Sequence, residues 1–255
     1  MKLNHLNFDK TQLGANPPTI ALLSGESQRS HYIAQTYLQN ACLLSDSRGL
    51  SSYLGLLANG KPVLAATSGI GSPSLSIVVN ELIQVGIRKI IRVGTCGSIQ
   101  PHVSVGSIVI SSAALCRQGA ALDIAPVEYP AVADPFVTVA LVEAAAELQV
   151  SYHLGITASV DTFYEGQERF ASSANPRLQR WLEGITQEYR NLNILNYEME
   201  AGTLFKMAGV YGFAAGCVCA VIAQRTETED LLFAQKDAAV DKAIQVAIRA
   251  IENSQ

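Results

Sequence analysis

Charge is scarce in this chain. Asp, Glu, Lys and Arg make up 16% of its 255 residues, against about 25% in an average soluble protein. Apolar residues reach 49%, and mean hydropathy is slightly positive. Such a chain can bury a large core, and it is expected to bury part of its surface against copies of itself. The net charge of −4 argues against nucleic acid or an anionic membrane as partner. Long apolar runs are missing too: "FAAGCVCAVIA" (residues 213–223) falls short of the roughly 18 residues a spanning helix needs. The opening "MKLNHLNFDKTQLG" has no apolar signal core, so a cytoplasmic location is expected.

Cofactor and crosslink patterns are also lacking. Cys42, Cys96, Cys116, Cys217 and Cys219 form no C-x-x-C pair, and their odd number gives no disulfide framework. They are expected to be reduced, mostly buried thiols. Cys217 and Cys219 should point the same way on one strand, but without nearby His or further Cys they make a poor zinc site. No G-x-x-x-x-G-K-[ST] phosphate loop occurs. In "TSGIGSPSLSIVVNEL", Ser74 stands where a dinucleotide motif needs its third glycine, which, with the missing phosphate loop, argues against a nicotinamide cofactor or ATP. Repeats, low-complexity tracts and Pro/Gly/Ser linkers are absent.

What is present is an alternation of short apolar runs and longer periodic segments. Strands are expected at residues 19–25, 89–97, 105–115, 152–161, 193–200 and 213–225. Helices are expected at 30–39, 74–86, 135–149, 175–189, 201–212 and 237–252, with Asp134 as a cap for the third. Asn59-Gly60 between two apolar runs signals a hairpin. The pattern is α/β, one domain over residues 1–255 with a mostly parallel or mixed sheet. Such sheets bind ligands beyond the carboxyl ends of their strands.

Four stretches at those places carry candidate chemistry. In "LSGESQR", Gly25 ends a strand and Arg29 falls in the next helical turn, where an anion is favoured; an ordinary turn with a surface arginine would look the same. In "IRVGTCG", Arg92 lies inside an apolar strand, where charge is costly unless paired. Arg92 with Thr95 suits a phosphate or sugar hydroxyl, and a structural ion pair suits Arg92 equally. In "LNYEMEAG", Glu198 and Glu200 alternate with Met199. Two carboxylates on one side could accept bonds from a diol, or simply be solvated on an edge strand. In "DTFYEGQERF", Gln167 offers a paired donor and acceptor, Arg169 a fork of donors and Phe163 a flat face. Together they could read a flat polar ring, or form a solvated turn.

With these stretches go "GIGSPSLSI" (69–77) followed by Glu81-Leu82, "RVGTCGSIQPHVSVG", "APVEYPAVAD" and "NYEMEA". In these segments the chain resembles the nucleoside phosphorylase family over nearly its whole length. "GQER" is similar to the uridine-cleaving, hexameric branch. The resemblance implies a single domain that splits uridine, with deoxyuridine left open as a second substrate, inorganic phosphate as co-substrate and no metal or organic cofactor. It implies Gly25, Arg29, Arg92 and Thr95 at phosphate, with Arg48 completing that site from a neighbouring subunit. It places Glu200, Glu198, Met199 and Thr95 at the ribose, with His5 reaching across to the 5′-hydroxyl. Phe163, Gln167, Arg169, Arg225 and Gly97 fall to the base, with Arg169, Gln167, Arg92 and Glu200 closest to the chemistry. Relatives are hexamers built from dimers with shared sites.

Three positions depart from the family. Glu26 stands for an aspartate, Cys96 for a threonine, and Gly49 for a glutamate that helps relatives hold a monovalent cation. Ile70 and Ser74, the matching cation partners, remain, so the cation is left open. Two other readings stay on the table: a same-fold nucleosidase using water, and a nucleoside-binding protein without catalysis. The acidic segment 226–230 is a further candidate for shaping substrate choice.

Overall fold

Most strands of this chain are apolar on both faces because helices cover both sides of the sheet. The computed structural model describes residues 2–226, 229–231 and 233–254. The first half of the chain runs β1 (Ile20–Ser24), α1 (Ser27–Tyr37), β2 (Gln39–Ser45), β3 (Ser52–Leu56), β4 (Pro62–Thr67), α2 (Ser72–Val85) and β5 (Lys89–Ser98). It continues with β6 (Ile108–Arg117), a single turn α3 (Gly119–Leu122), α4 (Pro135–Glu147), β7 (Tyr152–Val160), α5 (Ile185–Asn191) and β8 (Asn196–Glu198). The last elements are α6 (Ala201–Tyr211), β9 (Ala214–Arg225), β10 (Glu229–Leu231) and α7 (Phe233–Asn253).

The strands form one mixed sheet in the order β10-β9-β6-β7-β8-β5-β1-β4-β3-β2, with β9 also pairing β5. That extra pairing closes β5, β9, β6, β7 and β8 into a ring, while β1 to β4 extend from it as an open sheet. Alternation along each strand sends neighbours to opposite faces. Leu23 and Ile90 pack with Leu75, Val79 and Phe205 from α2 and α6. Leu22 and Ile91 pack on the other side with Ile33, Leu141 and Ile244 from α1, α4 and α7. The mixed α/β expectation is met, and the Asn59-Gly60 turn joins antiparallel β3 and β4.

Local signals act as expected at most ends. Asp134 Oδ1 accepts from the N–H groups of Phe136 and Val137, both at 2.9 Å, capping α4. Gly86 ends α2 in a left-handed conformation. The expected helix over 175–189 is a correction: only a 3₁₀ turn at Arg180–Leu182 and then α5 form. Gly184 has φ 78 between them, and no right-handed helix passes through that angle. Strands β2 and β10 had no expectation. Residues 227 and 228 of the acidic segment lie outside the described residues, so its expected role is not addressed. No helix among the described residues is long and apolar enough to cross a membrane.

Candidate active site

The carboxyl ends of β1, β5 and β8 and the loops after β4 and β7 surround a cavity of ≈ 250 Å³. Its wall includes Gly25, Arg29, Arg92, Thr95, Gly97, Phe163, Gln167, Arg169, Glu198, Met199 and Glu200. Residues far apart in sequence, read separately as candidates, are thus brought to one place.

One end is cationic. Arg29, in the first turn of α1, donates from Nη1 to the Val93 carbonyl at 2.9 Å and pairs through Nη2 with Glu26. Burial pushes its pKa down, with Arg92 adding to that and Glu26 opposing it. Arg92 pairs through Nη2 with Glu200, and its Nε lies 3.5 Å from Glu198. Burial alone would lower its pKa, but the two carboxylates reverse this and raise it. Arg92 Nη1 and Arg29 Nε are buried with no hydrogen-bond partner among the described residues. A buried donor without a partner costs about 1–3 kcal/mol, so these atoms point to an anionic ligand. The backbone yields room for Arg92: a Cβ on Gly94 would lie 3.1 Å from its Nη2.

The two carboxylates sit where β8 turns into α6. Glu198 Oε2 accepts from the N–H groups of Glu200 and Ala201, both at 2.8 Å, and Ser159 donates to Oε1. It therefore serves the helix start, where negative charge is favoured. Burial pushes its pKa up to about 7, Glu200 adding to the rise and Arg92 opposing it. Glu200 pairs with Arg92 and accepts at 2.5 Å from the Gly71 N–H. The solvated-edge reading is excluded, since both residues are 3% exposed. Of the two readings of Arg92, the ion pair is present, and Nη1 has no hydrogen-bond partner among the described residues.

A second part of the wall joins an amide, a guanidinium and an aromatic ring. Arg169 Nε donates to Gln167 Oε1 at 3.3 Å, and its guanidinium lies 4.3 Å from the Phe163 ring centre. Gln167 and Arg169 are buried while Phe163 is half-exposed at the mouth. Between them Glu168 turns away with φ 56. Its carboxylate accepts from Gly184 N at 2.5 Å and Thr186 N at 3.0 Å, tying the loop to the start of α5. Arg225 stands outside the cavity wall, over the Tyr197 ring at 5.4 Å. Gly97 keeps these groups close: a Cβ there would lie 3.3 Å from Arg225 Cδ and 3.5 Å from Arg169 Nη2.

His5 and Arg48 are not brought into this chain's own cavity. His5 Nδ1 lies 2.8 Å from Glu81 Oε1, and the His5 and Leu6 N–H groups also donate to that carboxylate. Arg48 is exposed with φ 56. Ile70 is 74% exposed at the cavity mouth, and Ser74 Oγ donates to the Ser68 carbonyl at 2.6 Å. Among the described residues no cluster of three or more His, Cys, Asp or Glu is placed to hold a metal. Sequence reading missed Gln118, which donates to the Met199 carbonyl at 2.5 Å and accepts from Thr203 N at 2.8 Å. It also missed Glu168 and Ser159. None carries a motif, but the charged residue between Gln167 and Arg169 was a usable signal for an anchor.

Comparison with known proteins agrees with this geometry. A family model described as "Phosphorylase superfamily" matches residues 19–254. A uridine phosphorylase of Haemophilus influenzae is 42% identical over 249 residues, 97% of this chain and 96% of the relative. One from Escherichia coli is 42% identical over 226 residues, 88% of this chain and 87% of the relative. One from Thermococcus kodakarensis is 43% identical over 191 residues, 75% of this chain and 68% of the relative. With the match running through the strands, loops and helices that build the cavity, the chain belongs to the phosphorylase superfamily.

Proposed function

We propose that this chain is a pentosyltransferase that splits uridine with inorganic phosphate into uracil and ribose 1-phosphate, reversibly. The observation that carries the reading is the order of groups along one cavity. Arginines with unpartnered nitrogens stand at one end, Glu200 and Met199 in the middle, and the Gln167–Arg169 pair at the other. Phosphate, ribose and a flat base with adjacent carbonyl and N–H groups match that order, as do the names of the relatives.

The mechanism follows from charge. Phosphate attacks C1′ as the bond to N1 of the base breaks. Positive charge grows on the sugar and negative charge on the departing uracil. Arg29 and Arg92, with Thr95 and Gly25, hold phosphate so that bringing two substrates together is met in binding. Glu200 accepts from the ribose 2′- and 3′-hydroxyls, and Glu198 orients the turn that carries it. Gln167 pairs with the uracil edge. Arg169, held over Phe163 and beside Gln167, stabilises the base anion as charge develops. Arg225 and Gly97 shape the wall behind it.

His5 and Arg48 would complete a neighbour's site in a homohexamer, a trimer of dimers. Gly49 offers no side-chain oxygen to a monovalent cation, whereas Ser74 Oγ, which donates to the Ser68 carbonyl, keeps its lone pairs for one.

The test is uracil release from uridine with and without phosphate. Phosphate-dependent release with ribose 1-phosphate as second product supports the proposal. Release without phosphate would make the enzyme a nucleosidase. Binding of uridine with no release would make it a binding protein.

A further inference from the structure

The glycosyl transfer uses Gln167 and Arg169 and leaves the acid between them without a task. Its two neighbours line the cavity, whereas half-buried Glu168 turns toward α5. Its φ of 56 is left-handed, a region that costs energy for a residue with a Cβ and persists only where the surroundings enforce it. Within the loop, Glu168 N donates to the Glu165 carbonyl at 2.9 Å and Arg169 N to the Tyr164 carbonyl at 2.6 Å, closing a tight turn. At the root of that turn Thr162 Oγ1 accepts from Gly166 N at 2.7 Å. Outside the loop, the Glu168 carboxylate gives one oxygen to Gly184 N and the other to Thr186 N. A carboxylate accepting from backbone N–H groups in this way is a charge-assisted anchor. Its support is firm, since Ile185 and Tyr189 of α5 are buried with Val160, Leu182 and Tyr197. Thr186 Oγ1 also shares a hydrogen bond of 3.1 Å with the Tyr197 hydroxyl, and Tyr197 lines the same cavity. The start of α5 therefore meets the cavity wall by two routes, through Tyr197 on β8 and through Glu168 on the loop.

We propose that Glu168 is a positioning residue for base recognition: anchored on the start of α5, it fixes the left-handed turn that aims Gln167 and Arg169 together at the base. The inference rests on the reading of that pair as the uracil contact. An amide and a guanidinium that meet adjacent edges of one ring must keep a set spacing. Their own contact does not set it, because Arg169 Nε to Gln167 Oε1 at 3.3 Å is longer than a good N–H···O bond. The anchor supplies what that contact lacks. With Glu168 held on α5, its side chain points out and both neighbours stay buried in the wall. Without it, the left-handed residue has only the turn's own backbone bonds to hold it. The pair would then drift while the arginines at the other end, which stand on α1 and β5, kept their places.

Two substitutions separate the anchor from the backbone angle. Glu168→Gly adopts the left-handed angle without strain and removes the anchor. Glu168→Gln keeps the angle and an amide oxygen that can still accept from the two N–H groups. The full-length wild type and both variants are compared by hydrogen–deuterium exchange with mass spectrometry, by kinetics at varied uridine, and by calorimetric binding of inorganic phosphate. In Glu168→Gly, peptides over 162–173 should exchange faster and kcat/KM for uridine should fall about 10²-fold. The Kd for phosphate should stay that of the wild type, and Glu168→Gln should recover most of both losses. A role confined to the start of α5 would raise exchange over 184–191 alone and leave uridine kinetics unmoved, which would overturn the proposal. So would equal losses toward uridine and phosphate, or a Glu168→Gln variant no better than Glu168→Gly. Exchange needs no turnover. If the wild type released no uracil, the proposed reaction would fall and the exchange comparison would still decide the anchor.

Discussion

Arg92→Met tests how the site is held together. The guanidinium it removes is buried, paired with Glu200 and 3.5 Å from Glu198. Methionine keeps the apolar stem, which ends near the position of Nε, but leaves two buried carboxylates without a cation. Breaking a buried pair in this way costs about 3–5 kcal/mol. The loss should depend on pH with a definite sign. Glu198 has its folded pKa raised from 4.5 to about 7, burial being the main cause, and Arg92 is the group that opposes the rise. Between those values the native state binds more protons than the unfolded state, so stability falls as pH rises. Without Arg92 the carboxyl pKa climbs further and the slope steepens, so the variant should lose most above about pH 7 and least near about pH 5.

Adding Glu198→Gln should then recover stability, by about 2 kcal/mol, because it removes one orphaned charge. Its amide oxygen can still accept from the N–H groups of Glu200 and Ala201, and its amide nitrogen can donate to Ser159. Activity should not return, since the proposed phosphate contact is gone. Urea unfolding followed by circular dichroism at several pH values measures both effects. A loss below about 1 kcal/mol, flat with pH, would refute the claim that Arg92 neutralises two ionised carboxylates.

Other sites give independent checks. Arg169→Ala should lower turnover by on the order of 10²–10³ while leaving phosphate affinity in place, as steady-state kinetics at varied phosphate would show; equal loss of phosphate affinity at unchanged turnover would contradict its role at the base. Asp134→Ala removes the cap of α4, far from the cavity, so unfolding free energy should drop by about 1 kcal/mol with kcat and KM unmoved. Glu81 has its pKa lowered: burial raises it, but the Leu6 and His5 hydrogen bonds win. Its stabilisation is therefore present above 4.5 and lost as pH falls below it, so the segment carrying Leu3, Leu6 and Phe8 should become protease-sensitive in acid before global unfolding; Glu81→Gln should make the segment protease-sensitive at neutral pH and remove that dependence.

Elements with strong periodicity were legible in the sequence. The strands around β5 and β9 and the helices α2, α4, α6 and α7 follow from apolar spacing and punctuation by glycine. The 175–189 stretch failed because its apolar spacing hides Gly184, whose positive φ splits it. The site was legible as residue types at strand ends, and its candidates other than His5, Arg48 and Arg225 meet in one cavity. The sequence did not tell which groups pair. Arg92 could have held a ligand or an acid, and only the fold shows that it holds both acids and spares one nitrogen. Gln118 was invisible for a related reason. Its task is to clamp the Met199 carbonyl and Thr203, contacts made 81 and 85 residues away in the chain.

Stability and recognition share the same atoms here. Glu198 starts α6 and orients the turn bearing Glu200, while Arg92 offsets the charge of both. Helix α6 in turn packs Leu204 and Phe205 into the core against α2. A substitution in the ionic group should therefore disturb substrate binding and folding together, whereas Arg169 and Gln167 stand on a loop tied down separately by Glu168. On the proposed assignment, base recognition can then change with little effect on the fold, and the phosphate end cannot. That asymmetry makes the base end, rather than the arginine end, the place where a phosphorylase of this architecture can acquire a new specificity at low structural cost.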